Sequence, residues 1–205
     1  MDNQNGARQP FTPITPPSWG AMACKRAFDI VCSLLGLVVL SPLLLVVSLL
    51  VAVTSPGGVF FRQERIGKGG KPFRIFKFRS MRKDNAGLKI TTGNDSRITP
   101  VGRFLRKSKI DELPQLINVL VGDMSFVGPR PEVADYVSLY TPYQRQVLLV
   151  RPGITGLASI RFRNENDLLT ASADPNRTYI EQIMPRKIDL DLEYIPHASV
   201  FYDIK

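Results

Sequence analysis

The stretch from Ile30 to Val53 reads IVCSLLGLVVLSPLLLVVSLLVAV and contains no charged side chain. As an α-helix, these 24 residues would be about 36 Å long, because each residue adds about 1.5 Å. The hydrocarbon core of a bilayer is about 30 Å thick. The stretch is therefore long enough to cross a membrane.

Ser41 and Pro42 lie near the midpoint of this apolar stretch. A proline inside a helix removes one backbone donor and clashes with the carbonyl one turn back, at a cost of about 3 kcal/mol. The pair can instead begin a second helix, with Ser41 as its N-cap and Pro42 as its first residue. We then expect the Ser41 hydroxyl to satisfy some of the backbone groups that the break leaves free.

Basic residues flank the stretch on both sides, and they are Lys25, Arg26, Arg62, Arg65 and Lys68. Positive charge near both ends of an apolar segment favours the cytoplasmic side for both ends. We therefore predict a broken helix that enters one leaflet and returns. A kinked helix that crosses the bilayer once is the alternative.

The composition limits the other classes of site. A net charge of +9 and a pI near 9.8 favour an anionic partner, which could be nucleic acid, lipid headgroups or a phosphorylated substrate. The two cysteines, Cys24 and Cys32, and the single His197 argue against a disulfide framework, a zinc cluster and a histidine metal site.

The pattern predicts a mainly α fold with a small β-hairpin. Residues 1–24 are rich in proline and polar side chains, which predicts a flexible N-terminal arm. Residues 25–54 form the predicted re-entrant membrane helix, and residues 55–205 form the remaining domain. That domain is long enough for one ordinary core.

Several elements are predicted within residues 55–205. Val59–Ile66 and Phe73–Met81 predict the two strands of the hairpin. Residues 101–109 predict a short basic helix, and residues 111–121 predict a helix that ends at Gly122. The other stretches are interpreted as loops at 84–100 and 123–131, a helix at 140–150, a turn at 151–156 and a polar-apolar stretch at 181–192.

Asp111 and Glu112 are the first residues of the predicted 111–121 helix. The ordinary reading of such a pair is a helix cap stabilised by the helix dipole. However, a carboxylate at that end, with Arg106 nearby, is expected to be ionised and nucleophilic at neutral pH. A second acid beside it could hold Mg²⁺, which takes oxygen ligands. The pair and the surrounding arginines suit chemistry on a phosphate diester.

Together the motifs resemble those of the small monotopic phosphoglycosyl transferases, the bacterial sugar transferase family. The matching segments occur in the family's order from Lys25 onward, and they are Lys25-Arg-Ala-Phe-Asp29, Ser41-Pro42, Phe73-Arg-Ile-Phe-Lys-Phe-Arg-Ser-Met81, Asp111-Glu-Leu-Pro-Gln-Leu-Ile-Asn-Val-Leu120, Gly122-Asp-Met-Ser-Phe-Val-Gly-Pro-Arg-Pro131 and Arg151-Pro-Gly-Ile-Thr-Gly-Leu157.

The resemblance implies transfer of a phosphosugar from a UDP-sugar to undecaprenyl phosphate, with release of UMP. It implies Asp111 as the nucleophile, Glu112 as a Mg²⁺ ligand, and Arg106 and Arg130 as phosphate contacts. Lys77 and Arg79 on the second strand are further candidate phosphate contacts, although an ordinary amphipathic strand would explain them equally well.

The resemblance also implies a monotopic protein on the cytoplasmic face of the bacterial inner membrane. Residues 55–205 would be its catalytic domain, held at the lipid headgroups by interfacial amphipathic helices. Membrane lipid is then a partner and nucleic acid is not. The oligomeric state stays open, with a homodimer as one alternative.

Two departures from the family pattern affect the expectations. After Gly156 the family commonly has a Gln and then Gly-Arg, whereas this chain has Ser159-Ile-Arg-Phe-Arg-Asn164. The sequence therefore does not indicate the sugar or the glycan pathway. The chain also ends earlier than comparable family members, so a C-terminal helix is expected to be missing.

Two other functions compete with this one. Asp189 and Asp191 match the Asp-x-Asp pattern of metal-dependent glycosyltransferases that release UDP, although an exposed helix face explains the pattern more simply. A non-enzymatic, membrane-anchored basic module would bind anionic lipid or nucleic acid without needing Asp111 or Glu112.

Overall fold

A computed structural model describes residues 13–55, 57–82 and 97–205 of the chain. The α-helices are α1 (Trp19–Val39), α2 (Ser41–Thr54), α3 (Pro100–Lys107), α4 (Gln115–Val121), α5 (Ala134–Ser138), α6 (Leu157–Arg161), α7 (Glu165–Thr170), α8 (Pro175–Thr178), α9 (Met184–Tyr194) and α10 (Val200–Ile204). The strands are β1 (Phe60–Ile66), β2 (Pro72–Phe78), β3 (Ser125–Val127) and β4 (Gly153–Thr155). Short 3-10 helices cover Lys68–Gly70, Ile110–Glu112, Gln144–Leu149 and Ile195–His197, and a π-helical turn covers Tyr179–Ile183.

The apolar stretch forms two helices that meet at an angle of 63°. Pro42 has no N–H to offer Val38, and the Ser41 hydroxyl donates to that carbonyl oxygen instead, at 2.7 Å. The predicted break and the predicted role of the hydroxyl are therefore confirmed. The expected N-cap is wrong, because Leu40 holds that position and Ser41 is already the first residue of α2.

No single helix in the described part of the chain is long and apolar enough to qualify as a membrane span, but α1 and α2 qualify as a bent pair. Many of their apolar side chains are exposed, and Val53 retains 87% of its surface. The side that faces the rest of the protein is different, because α1 buries Lys25, Asp29 and Ser33 at four-residue intervals on one face.

This buried polar face attaches α1 to three distant segments. Lys25 forms an ion pair with Asp203 of α10. Arg26 donates to the carbonyl oxygens of Val119 and Leu120 at the end of α4. Asp29 accepts the backbone N–H of Phe126 in β3 at 3.2 Å. The helix pair is therefore joined to the remaining domain by specific polar contacts as well as by apolar packing.

The predicted arm, residues 1–24, lies only partly within the described part of the chain. Residues 1–12 lie outside the described part. The N–H of Ile14 donates to Gln146 at 2.6 Å, and α1 begins at Trp19, before the expected boundary. Ile14 also packs against the main hydrophobic core.

The predicted β-hairpin is confirmed. β1 and β2 pair antiparallel, from Phe60 opposite Phe78 to Ile66 opposite Pro72. Side chains three positions apart on a strand point to opposite faces. Ile75 accordingly packs with Val119 and Met124, while Phe78 packs with residues of α2 and α3. The hairpin is thus held between α4 on one face and α2 and α3 on the other.

The later elements agree only partly with the sequence-based predictions. The basic helix is confirmed as α3, and α4 ends at Gly122, whose φ of 101° suits glycine. The predicted loop at 123–131 and turn at 151–156 contain β3 and β4, which pair in parallel. The helix predicted at 140–150 is only a 3-10 segment. The loop predicted at 84–100 lies mostly outside the described residues.

Gly102 in α3 packs closely against Ser80, just after the hairpin, so a substitution at this position tests that packing. A Cβ at this position would lie 2.0 Å from the carbonyl oxygen of Ser80. Gly102→Ala should therefore lower the free energy of unfolding by about 2–3 kcal/mol. Gly20 in α1 is the matched control, because a Cβ there meets nothing within 4 Å. Thermal unfolding in detergent measures both, and equal stability of the two variants would contradict this packing.

Candidate active site

Glu112 is the meeting point of two cationic side chains from separate parts of the chain. Its Oε1 accepts a hydrogen bond from Lys77 of β2 at 2.8 Å and another from Arg130, after β3, at 2.9 Å. Burial alone would raise the pKa of Glu112, but Arg130 and Lys77 outweigh it and hold the pKa far below its ordinary value. Glu112 is therefore an anion throughout the physiological range.

Asp111 has a different environment, although it is the preceding residue. It is 7% exposed, and its Oδ1 has no hydrogen-bond partner within the described residues. Burial raises the pKa of Asp111 despite the opposing charge of Lys77. The sequence argument expected the helix end and Arg106 to favour the ionised form, and the structure shows the opposite net shift. Loss of hydration outweighs the nearby cations.

The backbone before Asp111 brings the pair into this position. Lys109 has a φ of 60°, which makes it the non-glycine residue with positive φ in the described segments. It turns the chain from α3 directly into the 3-10 helix Ile110–Glu112. Asp111 therefore lies in a separate 3-10 turn before α4, and not in the first turn of α4 as predicted. Backbone strain of this kind costs about 1–3 kcal/mol and is common at functional sites.

Asn118 fixes α4, and hence the acidic pair, against β2. Its side chain is fully buried, accepts the N–H of Phe76 at 2.9 Å and donates to the carbonyl oxygen of Arg74 at 2.8 Å. These bonds lie on either side of Ile75, two residues before Lys77. The side-chain amide of Asn118 therefore fixes the position of Lys77 in β2 relative to Glu112.

The other predicted phosphate contacts are distributed unevenly. Arg106 lies close enough to Asp111 to oppose the rise in its pKa, and its Nη1 approaches the Met81 sulfur at 3.6 Å. Arg79 instead donates to the carbonyl oxygen of Phe60 at 3.3 Å. The structure thus places Lys77, Arg106 and Arg130 around the acidic pair. In the described residues no contact links Arg79 to either acid.

Arg130 lies in a segment whose other residues, Pro129, Pro131 and Glu132, each accept a hydrogen bond at the backbone carbonyl oxygen. The N–H of Gly153 donates to Pro129, Arg65 donates to the Pro131 carbonyl oxygen, and Ile66 donates to that of Glu132. Sequence reasoning missed Arg65 and Glu132 as parts of the site. Arg65 was noticed only as a basic flank of the apolar stretch, and no spacing rule connects it with residue 132.

The acidic pair can accommodate a hard cation. No cluster of three or more His, Cys, Asp or Glu side chains occurs in the described ranges. Mg²⁺ does not require one, because it is often held by one or two carboxylates together with substrate phosphates and water. The buried, unpartnered Oδ1 of Asp111 and the ionised carboxylate of Glu112 fit that donor set.

The competing Asp-x-Asp metal site does not form. Asp191 is buried in α9, whereas Asp189 is exposed on a different side of the same helix. Residues two apart on a helix do not face each other, so these carboxylates cannot bind one metal ion together. Burial raises the pKa of Asp191 to about 7, even with Lys187 nearby.

A model of the bacterial sugar transferase family matches residues 20–205. The chain is a member of this family. Because the match covers both the helix pair and the acidic pair, the resemblance noted in the motifs is confirmed along nearly the whole chain.

Individual relatives support the same family assignment. The UDP-glucose:undecaprenyl-phosphate glucose-1-phosphate transferase of Escherichia coli is 42% identical over 213 residues, covering 100% of this chain and 43% of the relative. The UDP-N-acetylgalactosamine-undecaprenyl-phosphate N-acetylgalactosaminephosphotransferase of Aeromonas hydrophila is 40% identical over 88% of this chain and 41% of its own length. The exopolysaccharide production protein PSS of Rhizobium leguminosarum is 47% identical, over 90% of this chain and 91% of its own.

The chain thus spans about two fifths of the Escherichia coli and Aeromonas relatives and nearly all of the Rhizobium one. Family members of very different length therefore share the region that contains the helix pair and the acidic pair.

The two acids should affect stability in opposite directions. The pKa of Asp111 is raised in the folded protein, so its ionised form destabilises the fold above that pKa. Asp111→Asn should therefore raise the free energy of unfolding at about pH 8 by about 0.5–2 kcal/mol. The gain should disappear as the pH falls well below the ordinary value of 3.8, where the wild-type carboxyl is neutral in both states.

Glu112→Gln is the matched comparison, measured by denaturation in detergent across the same pH range. The pKa of Glu112 is lowered on folding, so its ionised form stabilises the fold above the ordinary value of 4.5. Its loss should cost about 3 kcal/mol at neutral pH, because Lys77 and Arg130 lose their shared anion. Changes of the same sign in both variants would contradict the described electrostatics.

Proposed function

We propose that this chain is a phosphoglycosyl transferase, which moves a phosphosugar from a UDP-sugar to undecaprenyl phosphate and releases UMP. The observation that carries the proposal is the buried and unpartnered carboxylate oxygen of Asp111, beside a glutamate that two cations hold ionised. The names of the Escherichia coli and Aeromonas relatives specify undecaprenyl phosphate as acceptor and a UDP-sugar as donor.

In the first step, a carboxylate oxygen of Asp111 attacks the β-phosphorus of the UDP-sugar. A new bond forms between this oxygen and phosphorus, the bond from the β-phosphorus to the bridging oxygen breaks, and UMP leaves with that oxygen. A carboxylate with a raised pKa is a stronger nucleophile once ionised, because it is poorly solvated. The product is a phosphosugar-aspartyl intermediate.

In the second step, a phosphate oxygen of undecaprenyl phosphate attacks the phosphorus of the intermediate. The bond to Asp111 breaks, the free carboxylate is regenerated, and the product is a lipid-linked diphosphosugar. Such a product is the starting unit of a lipid-linked glycan, either a polysaccharide or a glycoprotein sugar chain.

In both steps one anion approaches another, so nearby cations are needed to reduce the repulsion between them. Arg106, Arg130 and Lys77 would neutralise the phosphoryl oxygens as the nucleophile approaches. Arg130 and Lys77 already bond Glu112, so their donors are oriented before substrate binds. The proposed contact of Arg79 with phosphate stays a prediction, and it requires the substrate to extend toward the end of β2.

Mg²⁺ fits the same site as a cofactor. Glu112 would hold it, and it would supply positive charge to the diphosphate and the leaving UMP. Glu112 is ready for this role because it remains ionised at every pH at which the enzyme would work.

A membrane location follows from the acceptor, whose polyprenyl chain cannot leave the bilayer. We propose that α1 and α2 form a re-entrant pair in the cytoplasmic leaflet of the bacterial inner membrane, with the remaining domain on the cytoplasmic side. α3 suits the headgroup region, because Phe104 is exposed in α3 together with the basic residues Arg103 and Lys107. The protein would then be monotopic.

The product nucleotide separates this reaction from a glycosyltransferase reaction. Purified protein should release UMP, not UDP, when a panel of UDP-sugars is offered with undecaprenyl phosphate. Asp111→Asn should lower the rate by more than about a thousandfold. Asp189→Asn is the matched control and should keep the wild-type rate, because Asp189 is exposed on α9. Release of UDP, or turnover by Asp111→Asn, would refute the proposed chemistry.

The re-entrant arrangement places both ends of the chain on one side of the membrane. Cysteine tags added at the N-terminus and the C-terminus should therefore react equally with a membrane-impermeant maleimide in inside-out vesicles, and neither should react in right-side-out vesicles. Labelling of the two tags in opposite preparations would establish a spanning helix.

A further inference from the structure

Tyr179 is a buried polar residue for which the proposed chemistry has no use. It is 5% exposed and is the first residue of the π-helical turn Tyr179–Ile183. Turns of this type are rare in proteins, but those that occur are often found at functional sites. Burial, together with the charge of Glu132, raises the pKa of Tyr179, so its hydroxyl keeps its proton and remains a donor.

The Tyr179 hydroxyl donates to Oε1 of Glu132. The other carboxylate oxygen of Glu132, Oε2, accepts a hydrogen bond from Arg65 at 3.3 Å, and the same guanidinium nitrogen donates to the carbonyl oxygen of Pro131 at 3.2 Å. Each oxygen of Glu132 thus has its own partner. The side chain of Glu132 is fixed from both sides, by β1 and by the π-helical turn.

Glu132 lies two residues after Arg130, and the residues on either side of Arg130 are Pro129 and Pro131. Proline rings fix φ, so the backbone between residues 129 and 131 has little freedom to adjust. We therefore expect a displacement of Glu132 to be passed on to Arg130. The backbone N–H of Arg130 also lies near the carboxylate of Asp191. A shift at Glu132 therefore moves the guanidinium that bonds Glu112 at 2.9 Å.

We propose that Tyr179, acting through Glu132 and Arg65, is a positioning residue that sets the place of the Arg130 guanidinium at the acidic pair. The inference rests on the proposed function, because Arg130 is taken there to neutralise the transferred phosphoryl group. An error of about 1 Å in the position of such a group can lower a rate by up to about a hundredfold. The contribution would arise in the transition state, so kcat should change and KM should not.

Tyr179→Phe removes the hydroxyl and keeps the ring, and Tyr136→Phe is its matched control. The two rings lie 5.0 Å apart, but the Tyr136 hydroxyl donates to Asn176. Tyr179→Phe should lower kcat for UMP release about tenfold with little change in KM. Tyr136→Phe should keep the wild-type kcat. Comparable thermal stability of the two variants would show that packing loss is not the cause.

A double-mutant cycle tests whether the effect passes through Arg130. In an Arg130→Lys background, Tyr179→Phe should change kcat by less than about twofold, because the guanidinium that it positions is gone. An undiminished tenfold effect in that background would overturn the inference, as would wild-type kcat in the single variant.

A second measurement does not depend on activity. In protein labelled with ¹³C and ¹⁵N arginine, the guanidinium resonance that Arg130→Lys removes should shift in Tyr179→Phe and stay unchanged in Tyr136→Phe. An unmoved resonance would refute positioning even if the wild type releases UMP. A shifted resonance in a protein that releases no UMP would refute the proposed function and retain the positioning.

Discussion

One carboxylate oxygen, Oε1 of Glu112, accepts hydrogen bonds from two cations that different parts of the chain provide. Lys77 comes from the hairpin and Arg130 from the segment after β3, so this oxygen connects regions that are far apart in sequence. Removing either partner from a buried pair leaves an uncompensated charge, which costs more than the pair contributes when intact. The arrangement also separates the two neighbouring acids chemically. Glu112 stays ionised and paired, while Asp111 keeps a raised pKa and an oxygen that has no partner among the described residues.

The helix pair packs directly against α4, the helix that follows the acidic pair. Arg26 bonds the carbonyl oxygens at the end of α4, and Gly36 approaches the side chain of Leu116 near its beginning. α4 therefore runs antiparallel to α1, and the end of α4 that follows Asp111 and Glu112 points toward the break at Ser41 and Pro42. This packing relates the position of Asp111, the proposed nucleophile, to the position of the bend. The proposed reaction with a soluble nucleotide and a lipid phosphate requires that relation.

The sequence predicted the features that depend on local chemistry. The Ser41-Pro42 break, the hairpin with its glycine-rich turn, and the helix that ends at Gly122 all follow from backbone preferences of single residues, and the structure confirms them. The two short strands β3 and β4 escaped prediction, because three residues are too few to show a period of two and their pairing joins segments that are distant in sequence. Asp111 was correctly placed beside cations, but the direction of its pKa shift depends on burial, which the sequence does not show. The contacts of Arg65 with Glu132 and of Arg26 with α4 could not be predicted either, because they join segments that are far apart in sequence.

The account depends on Asp111 forming a covalent bond to phosphorus, and intact-protein mass spectrometry tests this directly. Purified protein is incubated with the UDP-sugar that it uses, in the absence of undecaprenyl phosphate, and is quenched in acid. The account predicts a mass increase equal to one phosphosugar, located on Asp111 by peptide mapping and reversed when undecaprenyl phosphate is added. An unchanged mass during active turnover, or an adduct on any other residue, would contradict it.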